Sequence, residues 1–580
     1  MTQLTLPEDP AALAELDWPG IAALYDQLAE APLDAVTLDM WLERWSTLEE
    51  LLNEAASRAM IDYTLDTSDP AREAAHLRFS TEIMPRADER SVALARRLLD
   101  SGLTRPDLDV TLQRFRSASE IFREANVPLI SELEELGARY QRITGGMTVQ
   151  WDGEELPLPR LQPFLKSRDR AVRERAFRSL AAPYIREHDA LSGLFDTMYA
   201  LRQQVAANAG FASFRDYVFP AKYRFDYTPA DCARLHDAIE QTVVPAVARA
   251  LAQRRTRLGL DTLRPWDLQV DPYREELVRP FESGDDLAAG ALRAFEQVDP
   301  ALGGHFHTMI EERLLDLESR KDKAPGGYCD TLHFSGRPFI FMNAAGVPED
   351  VNTLLHEAGH AFHAFEADDQ PLIWQRHPGA EAAELASMSM ELIAAPYLAE
   401  PAKFYTETEA QAAELEHLED VLVTLPHIAS VDAFQDWIYT SGEGHDGAAR
   451  DAAWLRIRSR FESGVDWSGL TAERVARWYR QLHIFLYPFY YIEYAIAQIG
   501  ALQVWRNARR DRRDAVRHYR AALALGATRP LPELYQTAGA RLTFEAKELA
   551  ELVDLVEERM AELRAQLPRT AQRGKFTASP

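Results

Sequence analysis

Apolar residues along this chain recur mostly at intervals of three and four, the spacing of one helical face, and seldom alternate. From about residue 20 to residue 200 the pattern predicts successive amphipathic helices, broken at Pro32, Ser68-Asp69-Pro70, Gly102 to Pro106 and Gly145-Gly146. Met147-Thr148-Val149-Gln150-Trp151 and Leu156, between Gly145 and Pro159, predict a brief β insertion. Arg337 to Asn343 reads as a short strand, with Phe339, Ile340, Phe341 and Met342 as strand formers and Pro338 suggesting a sheet edge. No internal repeat is detectable. A chain of 580 residues is too long for one simple core, so at least two lobes are expected in a mainly α protein. The expected division is a helical N-terminal lobe over 1–200, a second domain over 201–567, and a polar tail over 568–580 without fixed structure.

One helical pattern carries more than a core face. Val351, Leu355, Ala358, Phe362 and Phe365 form an apolar stripe, and Asn352, His356, Gly359, His360 and His363 form the stripe beside it. Pro348, Glu349 and Asp350 suit a first helical turn, and Pro371 after Asp368-Asp369-Gln370 suggests where the helix has stopped. Within it stands His356-Glu357-Ala358-Gly359-His360. Two imidazoles four residues apart share a face and can bind one metal ion. Glu357 lies about 100° around from His356, where it can reach a water on that metal without becoming a ligand. With 15 histidines in 580 residues, chance yields such a pattern in roughly a few sequences per hundred. The plain alternative is a pair of solvated surface histidines, and a half-buried helix with His, Gly, His and His on its inner margin argues against it.

A catalytic zinc takes a third protein ligand and keeps a fourth position open. His363 lies seven residues beyond His356, about 10.5 Å along a straight helix, too far for bonds of about 2.0–2.1 Å to gather all three imidazoles. It is read instead as a supporting or substrate-facing residue. After Pro378-Gly379, Ala380 to Leu398 predicts a second helix, amphipathic through Leu385, Met388, Leu392 and Ala395. It holds Glu381, Glu384 and Glu391, and spacing alone does not choose among them.

The segments Phe339-Ile340-Phe341-Met342-Asn343, Asp350-Val351, Thr353-Leu354, His356 to His363 and Ala383-Glu384-Leu385-Ala386-Ser387-Met388-Ser389-Met390-Glu391 carry a resemblance. Together they resemble the thimet oligopeptidase and oligoendopeptidase F family of zinc metallopeptidases, closer to the oligoendopeptidase F branch, over roughly the last two-thirds of the chain. The resemblance implies a two-lobed helical zincin-type fold, with a small β-sheet beside the active-site helix and a deep substrate channel. It implies one Zn2+ per chain held by His356, His360 and Glu384, with Glu391 orienting a ligand histidine, and oligopeptides as substrates cut at internal bonds. Glu357 would then be the general base.

Downstream, His483, Tyr487, Tyr490, Tyr491 and Tyr494 cluster. Pro488 suits a first helical position, so His483 to Tyr487 is expected as loop and Pro488 onward as helix, with Tyr490 and Tyr494 on one face. Read without the resemblance, this is an aromatic core stripe with phenol oxygens at its edge. The resemblance places a histidine and several tyrosines opposite the zinc. It implies catalytic roles for His483, Tyr487 and Tyr494, with Tyr490 or Tyr491 completing the set. The strand Phe339, Ile340, Phe341, Met342 and Asn343 is expected to bind substrate by strand addition, unless it is merely a buried hairpin strand.

A net charge of −27 and a pI near 5.1 argue against nucleic acid or anionic membranes as partners. Cys232 and Cys329 are the only cysteines, which fits a reducing compartment. Met1 to Asp17 is acidic and lacks a secretory signal, and no apolar run reaches the length of a membrane span, so the cytoplasm is expected. Monomer and dimer both stay open. Three other readings share the zinc geometry: a carboxypeptidase of dipeptidyl type, a hydrolase of non-peptide ligands, and a non-catalytic peptide binder. Against the last stands the presence of His356, Glu357 and His360 together.

Overall fold

Helix α1 (Trp18–Glu30) opens on Asp17, whose carboxylate accepts the Gly20 N–H and satisfies one of the free donors of the first turn. The computed structural model describes residues 6–274 and 278–567. Helix α2 (Leu38–Leu65) buries Trp41, Leu42, Trp45, Leu48 and Leu52 at three- and four-residue spacing. α3 (Met84–Ser101) stops at Gly102, whose φ of +69° is open to glycine at little cost, and α4 (Asp109–Ile121) follows. Pro32, Ser68-Asp69-Pro70 and Gly102 to Pro106 separate helices, and Gly145-Gly146 ends the helix that precedes the hairpin. The expected β insertion is a hairpin of β1 (Thr148–Trp151) and β2 (Glu154–Pro157), turned by Asp152 and Gly153 at φ +52° and +91°.

Two hydrophobic cores result. The smaller runs from Leu13 to Phe115 and takes in Leu372, while the larger takes Ile61 and then the chain from Tyr140 to Leu567. The chain passes from the smaller core to the larger between Phe115 and Tyr140. The helices after Tyr140 join the larger core through aromatic contacts: Tyr140 stacks on Phe485 at 4.2 Å, and Phe195 meets Trp478 edge-on at 5.5 Å. Polar contacts are frequent where the cores meet. Ser46 Oγ accepts the Ile373 N–H at 2.8 Å, Gln375 Nε2 donates to Asp107 O at 3.0 Å, and buried Glu54 accepts the Ser335 N–H at 2.7 Å. The tail over 568–580 lies outside the described residues.

The larger core contains α5 (Phe214–Ala221), α6 (Pro229–Arg257) and a three-stranded sheet of β3 (Leu315–Glu318), β4 (Tyr328–Leu332) and β5 (Arg337–Ala344). The strand order β3-β5-β4 corrects the expectation of an edge strand, because β5 is central. Leu315 pairs with Ile340 in parallel register, and Cys329 pairs with Ile340 in antiparallel register. Ile340 N–H donates to Leu314 O, so the nitrogen of Pro338, two residues back, faces the same side at a point that β3 does not reach. Pro338 costs no ladder bond. Phe339, Ile340, Phe341 and Met342 are buried, and Asn343 donates to Ala324 O and Gly326 O, so none of the five offers a free strand edge.

Five further helices frame the site: α7 (Pro348–Ala367), α8 (Ala380–Ala394), α9 (Glu407–Thr440), α10 (Leu482–Leu486) and α11 (Tyr491–Arg510). α8 packs between α7 and α11. Among the described residues no helix is long and apolar enough to cross a membrane.

Candidate metal centre

α7 starts where its first-turn chemistry places it. Pro348 occupies the first turn and Asp350 accepts the Val347 N–H at 3.0 Å. Val351, Leu354, Leu355, Ala358 and Phe362 are buried, anchoring the helix by one face. At Gly359 the neighbouring α8 passes so close that a Cβ would stand 2.5 Å from Ser387 Cα. Any larger residue would push the two helices apart, and with them the groups they bring together.

Those groups are His356 and His360 from α7 and Glu384 from α8, whose ligating atoms all lie within 4.8 Å of one another. His356 Nε2 is 3.3 Å and His360 Nε2 is 3.6 Å from Glu384 Oε2. Donors about 2.0–2.2 Å from one tetrahedral centre stand roughly 3.3–3.6 Å apart, so this set fits zinc in size as well as in kind. Ser387 Oγ donates to Glu384 Oε2 at 3.0 Å and helps to hold the carboxylate. The three acids of α8 are thereby distinguished. Glu384 faces both imidazoles, Glu391 lies behind His356, and Glu381 accepts from Tyr227 at 2.5 Å.

The electrostatics favour positive charge at this point. Burial opposes charge on His356, yet its hydrogen bonds to Glu384 and Glu391 outweigh burial and raise its pKa well above the usual value. Burial also disfavours the Glu384 carboxylate, but the His356 hydrogen bond and the nearby imidazoles hold it down to about 2. Burial lowers His360 to about 4, keeping it in the neutral form that ligates metals. Glu357, with a buried side chain, is pushed up to about 7 by desolvation, against the field of His356 and a hydrogen bond from the Cys329 backbone. A carboxylate poised near neutrality is suited to taking and returning a proton.

Behind the centre, His356 Nδ1 lies 2.6 Å from Glu391 Oε1, and His417 Nε2 from α9 lies 3.4 Å from Glu391 Oε2. Such a carboxylate fixes which imidazole nitrogen is left for metal. Glu391→Ala is expected to weaken zinc binding about 10–100-fold, read by competition against a chromophoric chelator. Unchanged affinity would show that Glu391 does not orient His356.

The tyrosine wall differs from its expected secondary structure. His483 lies in the short helix α10 rather than in a loop, and α11 begins at Tyr491 rather than at Pro488. Phe489 interrupts with a φ of +61°, its N–H donating to Gln435 Oε1 at 2.9 Å and its carbonyl accepting from buried Arg224. Arg224 also pairs with buried Glu493 at 2.7 Å, clamping the loop from behind. Tyr490 O–H then donates to Glu384 Oε1 at 3.2 Å, and the Tyr494 ring lies 5.2 Å from that of Tyr490. The His483 ring is 4.6 Å from that of Tyr491 and 6.1–6.2 Å from those of Tyr487, Tyr490 and Tyr494. Tyr487 is 55% exposed and Tyr491 leans on His427, so Tyr490 is the tyrosine that touches the donor set. His363 stays outside that set and hydrogen-bonds none of it. Burial, with His377 and His360 nearby, lowers its pKa to about 3.

Several residues of the site carry no advance signal in the chain. Lys222 sits with its ammonium 4.8 Å over the Tyr490 ring and 3.6 Å from Glu493. It comes from the end of α5, far from any motif. Glu493 alone was open to detection, as an acid inside an otherwise apolar and aromatic helix that would need a buried partner.

Residues 164–553 match the family model described as Peptidase family M3. An oligoendopeptidase F homolog of Lactococcus lactis subsp. lactis is 24% identical over 233 residues, 40% of this chain and 37% of that relative. An oligoendopeptidase F homolog of Borreliella burgdorferi is 23% identical over 401 residues, 66% of this chain and 64% of its own length. The matched stretches thus span less than two thirds of these relatives. The solved structure of PZ peptidase A with an inhibitor superposes with a TM-score of 0.87 at 26% identity, covering 94% of this chain and 98% of that one.

Proposed function

Because the chain belongs to peptidase family M3, we propose that it is a zinc-dependent oligoendopeptidase, cutting internal bonds of short peptides with Glu357 as general base. The observation that carries this reading is the constellation of His356, His360 and Glu384, the one such group among the described residues, with Glu357 on the same helix as the two histidines.

His356, His360 and Glu384 would hold one zinc ion, which supplies Lewis acidity toward a water and a scissile carbonyl. Glu357 receives the proton of the attacking water and returns it to the leaving amine. Tyr490 O–H, which donates to Glu384, would donate to the oxygen that gains negative charge on the substrate carbonyl. Tyr494 and His483 pack beside Tyr490 and restrict its ring. Strand addition falls instead to β4, an outer strand of the sheet. Cys232 and Cys329 are free thiols, in keeping with action in the cytoplasm.

The test is mass spectrometry of digests of peptides from about five to thirty residues, blocked at both ends, with and without a chelator. Internal cuts confined to the shorter peptides, lost on chelation and restored by zinc, are expected. Hydrolysis indifferent to chelation, or release of C-terminal dipeptides from unblocked peptides alone, would overturn the reading.

A further inference from the structure

We propose that Arg114, brought to the site by helix α4 of the smaller core, recognises a carboxylate of the substrate and so sets which peptides are preferred. The inference rests on the peptidase reading above and goes beyond it by naming a chemical feature of the substrate.

Arg114 Nη1 donates to His377 O at 2.7 Å, and the guanidinium lies 5.4 Å from the Tyr223 ring centroid. Among the described residues it forms no ion pair, Nη2 makes no hydrogen bond, and Nε is buried without a partner. That is unusual in a chain with 91 acidic residues for 64 basic ones, where carboxylates are plentiful. The acid whose field reaches it, Glu381, is buried and already accepts from Tyr227 at 2.5 Å. Burial lowers the pKa of Arg114, so its charge is held at a cost that an arriving anion would relieve. The neighbouring His377 and Tyr223 are exposed, so water, and therefore ligand, reaches this corner.

One run of contacts ties the corner to the metal centre: the guanidinium lies by the Tyr223 ring, Tyr223 follows Lys222, whose ammonium covers the Tyr490 ring, and Tyr490 donates to Glu384. Lys222 and Arg224, on either side of Tyr223 in the chain, both pair with Glu493. Nη1 is held by the His377 carbonyl while Nη2 keeps its N–H bonds without a protein acceptor, and a charged N–H donor suits a carboxylate oxygen. Such a group could be the C-terminus of a short peptide or an Asp or Glu side chain.

The experiment compares peptide pairs that differ only in charge: C-terminal acid against amide, and an internal Glu against Gln. Both kcat/KM with the zinc enzyme and equilibrium binding to its Glu357→Gln variant are measured, so that a failure of hydrolysis and a failure of carboxylate recognition are read separately. The wild type is expected to favour one acidic member about tenfold or more, and the favoured pair identifies the source of the carboxylate. Arg114→Gln is expected to abolish the preference through KM and binding, leaving the neutral members unchanged. Arg114→Lys, which keeps the charge and loses the fork, should retain part of it. Equal losses for acidic and neutral members in both variants, or no preference in the wild type, would overturn the proposal and leave Arg114 as a clamp between the cores.

Discussion

Glu357→Gln is expected to bind zinc as tightly as the wild type while kcat falls about 10²–10⁴-fold, the range typical of removing a general base. The substitution preserves size and removes the carboxylate proposed to accept the water's proton. His356, His360 and Glu384 are untouched. Metal content and far-ultraviolet circular dichroism should therefore match the wild type. Loss of metal with activity would mean that Glu357 serves the ion. Substantial remaining turnover would assign the base elsewhere.

Tyr490→Phe carries the second-largest expected effect, a fall of about 10²–10³-fold in kcat with KM little changed, as for removal of one oxyanion donor. Phenylalanine keeps the ring that packs on Tyr494 at 5.2 Å and beneath the Lys222 ammonium, so the wall should stand. What disappears is the O–H now 3.2 Å from Glu384 Oε1. Tyr487→Phe offers the contrast, since Tyr487 is exposed and bonds to no group of the donor set. Comparable losses at both positions would indicate that the wall rearranges during turnover and that Tyr490 holds no special place.

The metal helix was readable in the chain because three local signals agree: first-turn Pro-Glu-Asp, an apolar stripe, and histidines on its margin. Glu384 was not separable from Glu381 and Glu391 by spacing, and came only from resemblance. The choice depends on how α8 crosses α7 at Gly359, a tertiary fact. The edge assignment of β5 failed for a physical reason: a proline excludes a hydrogen bond only on its own side, and β3 begins opposite Ile340, past Pro338. The start of α11 moved because Phe489 adopts a left-handed backbone held by Gln435 and Arg224, from segments remote in sequence. Arg114, Lys222 and His417 are equally remote, single charged or polar residues that no periodicity distinguishes from a solvated surface. The change of hydrophobic core between Phe115 and Tyr140 carried no signal in the chain, because amphipathic helices show that they pack, but not against what.

The most direct measurement is anomalous diffraction at the zinc edge from crystals of the zinc-loaded protein. One peak is expected, about 2.0–2.2 Å from His356 Nε2, His360 Nε2 and a Glu384 oxygen, with the Glu357 carboxylate outside bonding distance. A peak elsewhere, or Glu384 turned away from the two imidazoles, would contradict it.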